Sequence, residues 1–290
     1  MIVVIVGPTG VGKTKMSIEL AKKIDAEIIN ADSMQVYKGL DIATAKVRED
    51  EKEGIVHHLL DIVDPNYNYT VYDYQKDCRK VIDEISRKGK NIIIVGGTGL
   101  YIKAALFNYE FASEDNAYDF SKMSNEEILG KVKEHFPNTS IHLNNRKRLE
   151  RELTKIYNGS TNTGKGNIPL YDFKIIGLSL PRDLLYERIN KRVDIMVKNG
   201  LLKEAKSLYD EKINSKAINT GIGYKELYQY FDGNITLDEA LDLIKKNSRH
   251  YAKRQYTFFN NQFNMKWFDI DLSNFDNTIN EVYTYIKKED

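Results

Sequence analysis

The sequence predicts an α/β fold: helices cover both faces of a parallel sheet, with a small helical insertion and a helix-rich C-terminal half. Short apolar runs alternate with segments of helical periodicity through about the first hundred residues, which is typical of a buried parallel sheet. The first apolar run leads directly into a glycine-rich loop. From Pro181 onward almost every periodic segment is helical.

The N-terminal part carries the alternation of strands and helices. Buried strands are expected where four to six apolar residues follow one another, and helices where apolar residues recur every three or four positions. The elements predicted here are strands at 2–6, 26–30, 58–63 and 91–95, and helices at 13–24, 71–88 and from Leu100 onward.

The pattern changes after about residue 108, and this change sets the predicted domain boundaries. Residues 1–108 and 142–290 are expected to form the core with its C-terminal helices, and 109–141 a small helical insertion. The later predicted elements are helices at 124–135, 145–157, 182–199, 201–212, 236–260 and 276–288, strands at 171–180 and 266–270, and a surface loop at 158–167.

Composition excludes several classes of protein. The charge balance of 43 Lys+Arg against 42 Asp+Glu gives no global field for nucleic acid, so any basic surface must be local. The one cysteine, Cys78, rules out a disulfide framework and falls at an apolar helical position, where buried packing is expected. No targeting signal or membrane-length apolar run is visible. We therefore expect a cytoplasmic protein, most simply a monomer.

The strand at 2–6 runs into GPTGVGKT, the phosphate-binding G-x-x-x-x-G-K-T pattern of a P-loop NTPase-like sheet. Glycines let several backbone N–H groups point at one anion, Lys13 can reach the outer phosphates, and the Thr14 hydroxyl can hold Mg²⁺. The predicted diphosphate- or nucleotide-binding residues are Gly7, Pro8, Thr9, Gly10, Val11, Gly12, Lys13 and Thr14.

The strand at 91–95 ends in Gly96-Gly97-Thr98-Gly99 and not in the Asp that helps hold Mg²⁺ in many ATPases and kinases. This weakens an ATP-hydrolysis interpretation. The acidic residue nearby is Asp32, just past the second strand, and strand ends at one edge of such a sheet converge on the ligand. Asp32 can accept a proton or bind a metal, or simply form a turn, and Thr98 alone has a structural explanation.

Eight segments together resemble the tRNA dimethylallyltransferases, also called tRNA isopentenyltransferases, in their bacterial form. The resemblance covers nearly the whole chain in order, and DSMQVY, GGTGLY and YAKRQ are its most specific parts. The segments are GPTGVGKT at 7–14, NADSMQVYKGLDIATAK at 30–46, HHLLDIVDP at 57–65, IIIVGGTGLYIKAAL at 92–106, NNRKRLERELT at 144–154, PRDLLYERINKRVDIMVKNGLLKEA at 181–205, TGIGYKE at 220–226 and RHYAKRQYTFF at 249–259.

The resemblance implies transfer of a dimethylallyl group from dimethylallyl diphosphate to N6 of the adenosine at tRNA position 37, beside the anticodon. It implies Asp32 as general base, Arg192 as a diphosphate contact, Thr98 near the target nucleotide, and Mg²⁺ as cofactor. The phosphate loop would then stabilise a leaving diphosphate without phosphoryl transfer.

The resemblance also implies a tRNA anticodon stem-loop as partner. Two clusters of cations, one of them interleaved with aromatic residues, suit an RNA loop with unstacked bases, although charge runs are usually solvated helix faces. The implied tRNA-binding residues are Asp32, Ser33, Met34, Gln35, Thr98, Lys147, Arg148, Arg151, Lys253 and Arg254.

Several positions depart from the family pattern, and none of them removes a proposed catalytic group. The short insertion puts the grip on tRNA in doubt. The departures are Ala43 for Gly, Val47 and Leu143 for Pro, Asn145 for Asp, Lys147 for Gln, and Phe258-Phe259 for Trp-Phe.

Three other functions stay open at this point. A small-molecule kinase would use the loop for ATP. An enzyme that prenylates free adenine nucleotides would need no basic helices. A non-enzymatic nucleotide switch would need no general base.

Overall fold

We describe a computed structural model, which covers residues 1–111, 118–159 and 166–288. The chain divides into two compact units. The first comprises Met1–Phe107 and Pro169–Asp290, and the second Asn108–Ile168. No helix in the described ranges combines the length and apolarity that crossing a bilayer demands.

The first unit is built on a six-stranded parallel sheet in the order β3-β2-β4-β1-β5-β6. The pairings of Ile5 with Val95 and of Asn30 with Val95 bring the carboxyl ends of β1, β2 and β4 to one edge. The strands are β1 (Ile2–Val6), β2 (Ala26–Asn30), β3 (His57–His58), β4 (Asn91–Val95), β5 (Phe173–Ser179) and β6 (Lys266–Asp269).

Helices of this unit cover both faces of the sheet. Val4 and Ile29 pack into one hydrophobic cluster, and Val3 and Ile28 into another, so β1 and β2 are buried on both sides. The helices are α1 (Lys13–Ile24), α2 (Val71–Arg87), α3 (Gly99–Leu106), α6 (Arg182–Lys198), α7 (Leu201–Asp210), α8 (Lys216–Thr220), α9 (Tyr224–Phe231), α10 (Leu237–Gln262) and α11 (Phe275–Lys287). The α/β class predicted from the sequence is confirmed.

The second unit contains α4 (Asn125–His135) and α5 (Arg146–Tyr157), which pack on each other through a small core including Ile128 and Leu149. Arg146 donates hydrogen bonds to the carbonyls of Phe120 and Met123. The unit therefore extends past the insertion expected at 109–141, because the apolar face of α5 is buried against α4.

Two further differences have local causes. The strand expected at 58–63 is only two residues long, because Leu59 and Asp61 take positive φ angles of 60° and 54° that break an extended chain. Helices α8 and α9 were not predicted, because they span only five and eight residues, too few for helical periodicity to stand out in the sequence. Of the predicted loop at 158–167, residues 160–165 lie outside the described residues.

Candidate active site

The phosphate loop joins β1 to α1 at the carboxyl edge of the sheet. Gly12 has a φ of 106°, which a side chain would strain, and it turns the chain so that α1 begins at Lys13. The free N–H groups of the first helical turn point back toward the loop. This part of the site follows from one continuous segment, as the sequence predicted.

Lys13 folds back over the loop. Its Nζ donates to the carbonyl oxygens of Gly7, at 3.0 Å, and Pro8, at 2.9 Å. The pKa of Lys13 is lowered from 10.5 to about 8, chiefly by burial and also by the positive charge of Arg192, while the negative charge of Asp32 opposes both. An anion bound in the loop would stabilise the charged form of Lys13 by giving it a negatively charged partner.

Helix α6 supplies two arginines to the loop. Arg192 Nη1 donates to Thr9 Oγ1 at 3.2 Å, and Arg188 Nε donates to the Gly10 carbonyl at 3.0 Å. Burial lowers the pKa of Arg192 below 12.5, Asp32 opposes this effect, and Arg188 adds to it. Lys13, Arg188 and Arg192 therefore place three positive charges at the loop, and Asp32 balances only one of them. This excess of positive charge favours the binding of an anion.

Asp32 begins a turn directly after β2. Its Oδ1 accepts from the Met34 N–H at 2.9 Å, and its own N–H donates to Asn30 Oδ1 at 3.0 Å. Within the described ranges no hydrogen bond reaches Asp32 Oδ2. Asp32 is thus both a turn residue and a carboxylate with one oxygen still able to accept a proton.

Two cavities meet at Asp32, one of about 480 Å³ and one of about 250 Å³. The larger, here called the phosphate cavity, is lined by the phosphate loop with Lys191 and His57. The smaller, here called the second cavity, is lined by Ser33, Met34 and residues 220–223. The residues that line both are Thr9, Asp32, Thr44, Arg192 and Tyr251.

Thr98 and Gln35, both predicted to lie near the target nucleotide, form hydrogen bonds within the protein. The Thr98 hydroxyl accepts from the Ser33 N–H at 3.0 Å and donates to Ser33 Oγ at 3.2 Å, and Thr98 lines neither cavity. Gln35 lines the phosphate cavity, and its Nε2 donates to the Thr44 carbonyl at 3.1 Å. Thr98 therefore reaches the site through Ser33, and Gln35 braces the 44–45 segment.

The basic residues divide into exposed and internally paired groups. Lys147, Arg148 and Arg151 are exposed on α5, whereas Arg146 is used within its own unit. On α10, Lys253 and Arg254 are exposed, and Arg254 lines the second cavity against the Tyr251 ring at 5.6 Å. Lys245, in contrast, pairs with Asp194 at 2.7 Å.

The donor set fits a magnesium ion that is held largely by a bound diphosphate. Thr14 and Asp32 both line the phosphate cavity. The described residues hold no group of three or more His, Cys, Asp or Glu side chains that could bind a metal by themselves. Mg²⁺ is commonly bound by one or two protein oxygens together with substrate phosphates and water, which is what this cavity can offer.

Glu204 on α7 is a structural anchor that the sequence did not reveal. Its carboxylate accepts from the N–H groups of Asp41, Ile42 and Ala43 at 2.8–3.1 Å and from the Tyr224 hydroxyl at 2.7 Å. The anchored segment leads to Thr44, in the wall between the cavities. An exposed-looking glutamate on an amphipathic helix gives no signal of such a role.

Comparison with known proteins places the chain in a family. The family model for IPP transferase matches residues 35–262. The tRNA dimethylallyltransferase of Anoxybacillus flavithermus is 47% identical, covering 99% of this chain and 96% of the relative. That of Bacillus subtilis is also 47% identical, covering 93% of this chain and 90% of the relative.

Solved structures give the same result. The full-length tRNA isopentenylpyrophosphate transferase from Bacillus halodurans has a TM-score of 0.76 at 43% identity, covering 98% of this chain and 95% of that one. A eukaryotic dimethylallyltransferase acting on tRNA has a TM-score of 0.81 at 30% identity, covering 97% of this chain and 77% of that one. The chain therefore belongs to the IPP transferase family.

Proposed function

We propose that this protein transfers a dimethylallyl group from dimethylallyl diphosphate to N6 of adenosine 37 in the anticodon stem-loop of tRNA. The observation that carries the proposal is the position of Asp32 in the wall between the phosphate cavity and a second cavity. A general base for this reaction must reach the N6 proton of an amine that is itself held next to the bound allylic diphosphate. The family membership and the relatives' names support the same reaction.

The transfer is a substitution at the allylic C1 carbon. The N6 lone pair forms the new N–C bond, the C1–O bond breaks, and the diphosphate leaves with its electron pair. The N6 proton passes to Asp32, whose Oδ2 is the oxygen available to take it. One positioned carboxylate contributes about 10²–10⁴-fold in rate.

Negative charge grows on the diphosphate as the C1–O bond breaks. Lys13, Arg192 and the loop N–H groups lie where they can stabilise that charge. Mg²⁺, held at Thr14, would supply further charge neutralisation on the diphosphate. The phosphate cavity thus binds the allylic diphosphate, and the second cavity binds the adenine base after it has been rotated out of the RNA loop.

Exposed cations are the proposed contacts for the RNA backbone. Lys147, Arg148 and Arg151 on α5 and Lys253 and Arg254 on α10 can each neutralise a phosphate. Ser33 and Met34 line the second cavity, where they can contact the base. We further propose that the enzyme works in the cytoplasm as a monomer, because one chain carries the whole set of residues described above.

The test incubates the protein with Mg²⁺, labelled dimethylallyl diphosphate and an anticodon stem-loop that carries the target adenosine. Label is expected on the RNA, at N6 of that adenosine, with release of one diphosphate for each transfer. A stem-loop with guanosine at that position is the matched control and should take up no label.

Two results would contradict the proposal. Transfer of label to free AMP but not to the stem-loop would identify an adenine-nucleotide prenyltransferase. Phosphoryl transfer from ATP to a small molecule, with no prenyl transfer, would identify a kinase.

A further inference from the structure

Gln255 on α10 is a buried polar residue between two loops of the site. Gln255 is 4% exposed, whereas the neighbouring Lys253 and Arg254 are exposed. Its Oε1 accepts from the Thr9 N–H of the phosphate loop at 2.9 Å, and its Nε2 donates to the Gly97 carbonyl at 3.1 Å. One amide therefore ties the phosphate loop to the loop after β4.

The direction of each bond fixes the orientation of this amide. A backbone N–H can only donate and a carbonyl can only accept, so Oε1 must face Thr9 and Nε2 must face Gly97. Both backbone groups would otherwise be left without a partner in a largely buried place, which proteins avoid. The amide therefore meets a requirement that no apolar side chain of the same length can meet.

The chain makes room for Gln255 at Gly97. A Cβ atom built on Gly97 would lie 2.1 Å from Gln255 Nε2, far inside contact distance, and 3.8 Å from Asp32 Oδ2. A glycine is needed here because of the close approach and not because of the backbone angle. Gln255 and Gly97 thus form one unit next to the proposed base.

Thr9 links this unit to the cations of the site. Its N–H is held by Gln255, and its hydroxyl is held by Arg192 at 3.2 Å. The two bonds come from different helices, α10 and α6, and they hold the peptide and the side chain of the same loop residue. Loss of the Gln255 bond would let the Thr9 peptide turn and move the arginine that rests on it.

We propose that Gln255 is a positioning residue for the diphosphate, acting through the Thr9 peptide of the phosphate loop and not by contact with the reacting atoms. The proposal rests on the function proposed above only in taking the loop's ligand to be a diphosphate. It predicts that loss of the amide weakens diphosphate binding while leaving RNA binding in place.

The experiment compares Gln255→Met with Gln262→Met. Methionine matches glutamine in length and lacks both hydrogen bonds, and Gln262 lies exposed on the same helix, which makes it the matched control. Calorimetry with Mg²⁺ and inorganic diphosphate should show about tenfold weaker binding for Gln255→Met and no change for Gln262→Met. The KM for dimethylallyl diphosphate should rise by a similar factor, while the KM for the stem-loop stays unchanged.

Diphosphate affinity equal to wild type in a folded Gln255→Met protein would overturn the proposal. Should that variant not fold, Gly97→Ala tests the same contact from the other side, because its Cβ displaces Nε2 while Gln255 is kept. Unchanged affinity in Gly97→Ala would equally overturn it. A wild type that binds diphosphate but does not prenylate RNA would refute the proposed function alone.

Discussion

The phosphate cavity and the second cavity share one wall, but different kinds of chain segment and side chain line the rest of each cavity. The first contains the phosphate loop, with Lys13 folded over it and Arg192 hydrogen-bonded to it. The second is formed by side chains from segments far apart in sequence, among them Met34, 220–223 and Arg254. The first therefore depends on charges fixed in place, and the second on how separate segments are held together.

The largest effect is expected from a substitution of Asp32, which lies in the wall that the two cavities share. Asp32→Asn keeps the turn oxygen that accepts from Met34 but removes the carboxylate. We expect kcat to fall about 10²–10⁴-fold. Single-turnover transfer to the stem-loop measures this, with inorganic diphosphate binding as the control. Diphosphate affinity should not weaken, because a negative charge has been removed near the loop. Turnover close to wild type would show that another group takes the proton.

A change confined to the phosphate cavity should act on one substrate only. Lys13→Met is expected to weaken diphosphate binding about 10- to 100-fold, the usual value of charge-assisted hydrogen bonds. Because the pKa of Lys13 is lowered to about 8, wild-type affinity should fall as pH rises through that value. Calorimetry between pH 7 and pH 9 tests this. If Lys13→Met shows the same dependence of diphosphate affinity on pH as the wild type, a group other than Lys13 causes that dependence.

The same lysine predicts a dependence of stability on pH. Its pKa of about 8 in the folded chain lies below its ordinary 10.5, so folding favours loss of the proton. The cost of holding the charged form is complete below pH 8 and disappears as pH rises to about 10.5. Lys13→Met should therefore be more stable than wild type at pH 7 and lose that advantage by pH 10.5. Denaturant titrations at both pH values measure the difference.

Glu204 holds residues 41–43, and Ala43 lines only the second cavity, so a change at Glu204 should affect the second cavity more than the first. Glu204→Gln replaces one oxygen that accepts from backbone N–H groups of 41–43 by an amide that cannot. We expect a loss of about 1–3 kcal/mol in the free energy of unfolding. The KM for the stem-loop should rise more than the KM for dimethylallyl diphosphate. Equal changes in the two KM values would mean that Glu204 supports both cavities alike.

The smallest effect is expected in the second unit. Arg151→Gln should reduce the slope of log affinity against log salt by about 0.7–0.9, the contribution of one phosphate contact. Filter binding of the stem-loop at several salt concentrations measures it. Lys131→Gln, an exposed cation on α4 of the same unit, is the control and should leave the slope unchanged. An unchanged slope for Arg151→Gln would mark it as a solvated surface residue.

Local sequence signals predicted the strands and the helix next to the phosphate loop well. β1, α1 and β2 have the predicted bounds, because a buried strand and an amphipathic helix show their period within a few residues. The missing Asp after β4 is explained by close packing. A Cβ on Gly96 would lie 2.2 Å from the backbone of Ala31, and Gly97 makes room for Gln255.

The residues that brace the walls of the two cavities were harder to predict, because they meet their partners only in the folded chain. Glu204 and Gln255 act on backbone groups more than 150 residues away, and such partners leave no periodic pattern. One signal was present for Gln255: it interrupts the apolar stripe of Ala252 and Phe259 on α10. A polar residue in a buried stripe needs specific hydrogen-bond partners, so this interruption could have identified Gln255 from the sequence.

The pairing of β1 with β5 has a consequence for how the chain is made. Ile2 pairs with Phe173, and β6 adds to the sheet only through β5. During synthesis the phosphate loop emerges well before α6 and α10, which brace it. Contacts this distant in sequence form slowly. A chain still being synthesised therefore contains the phosphate loop long before the loop can bind an anion. We expect anion binding only after α10 has been synthesised and has folded against the loop.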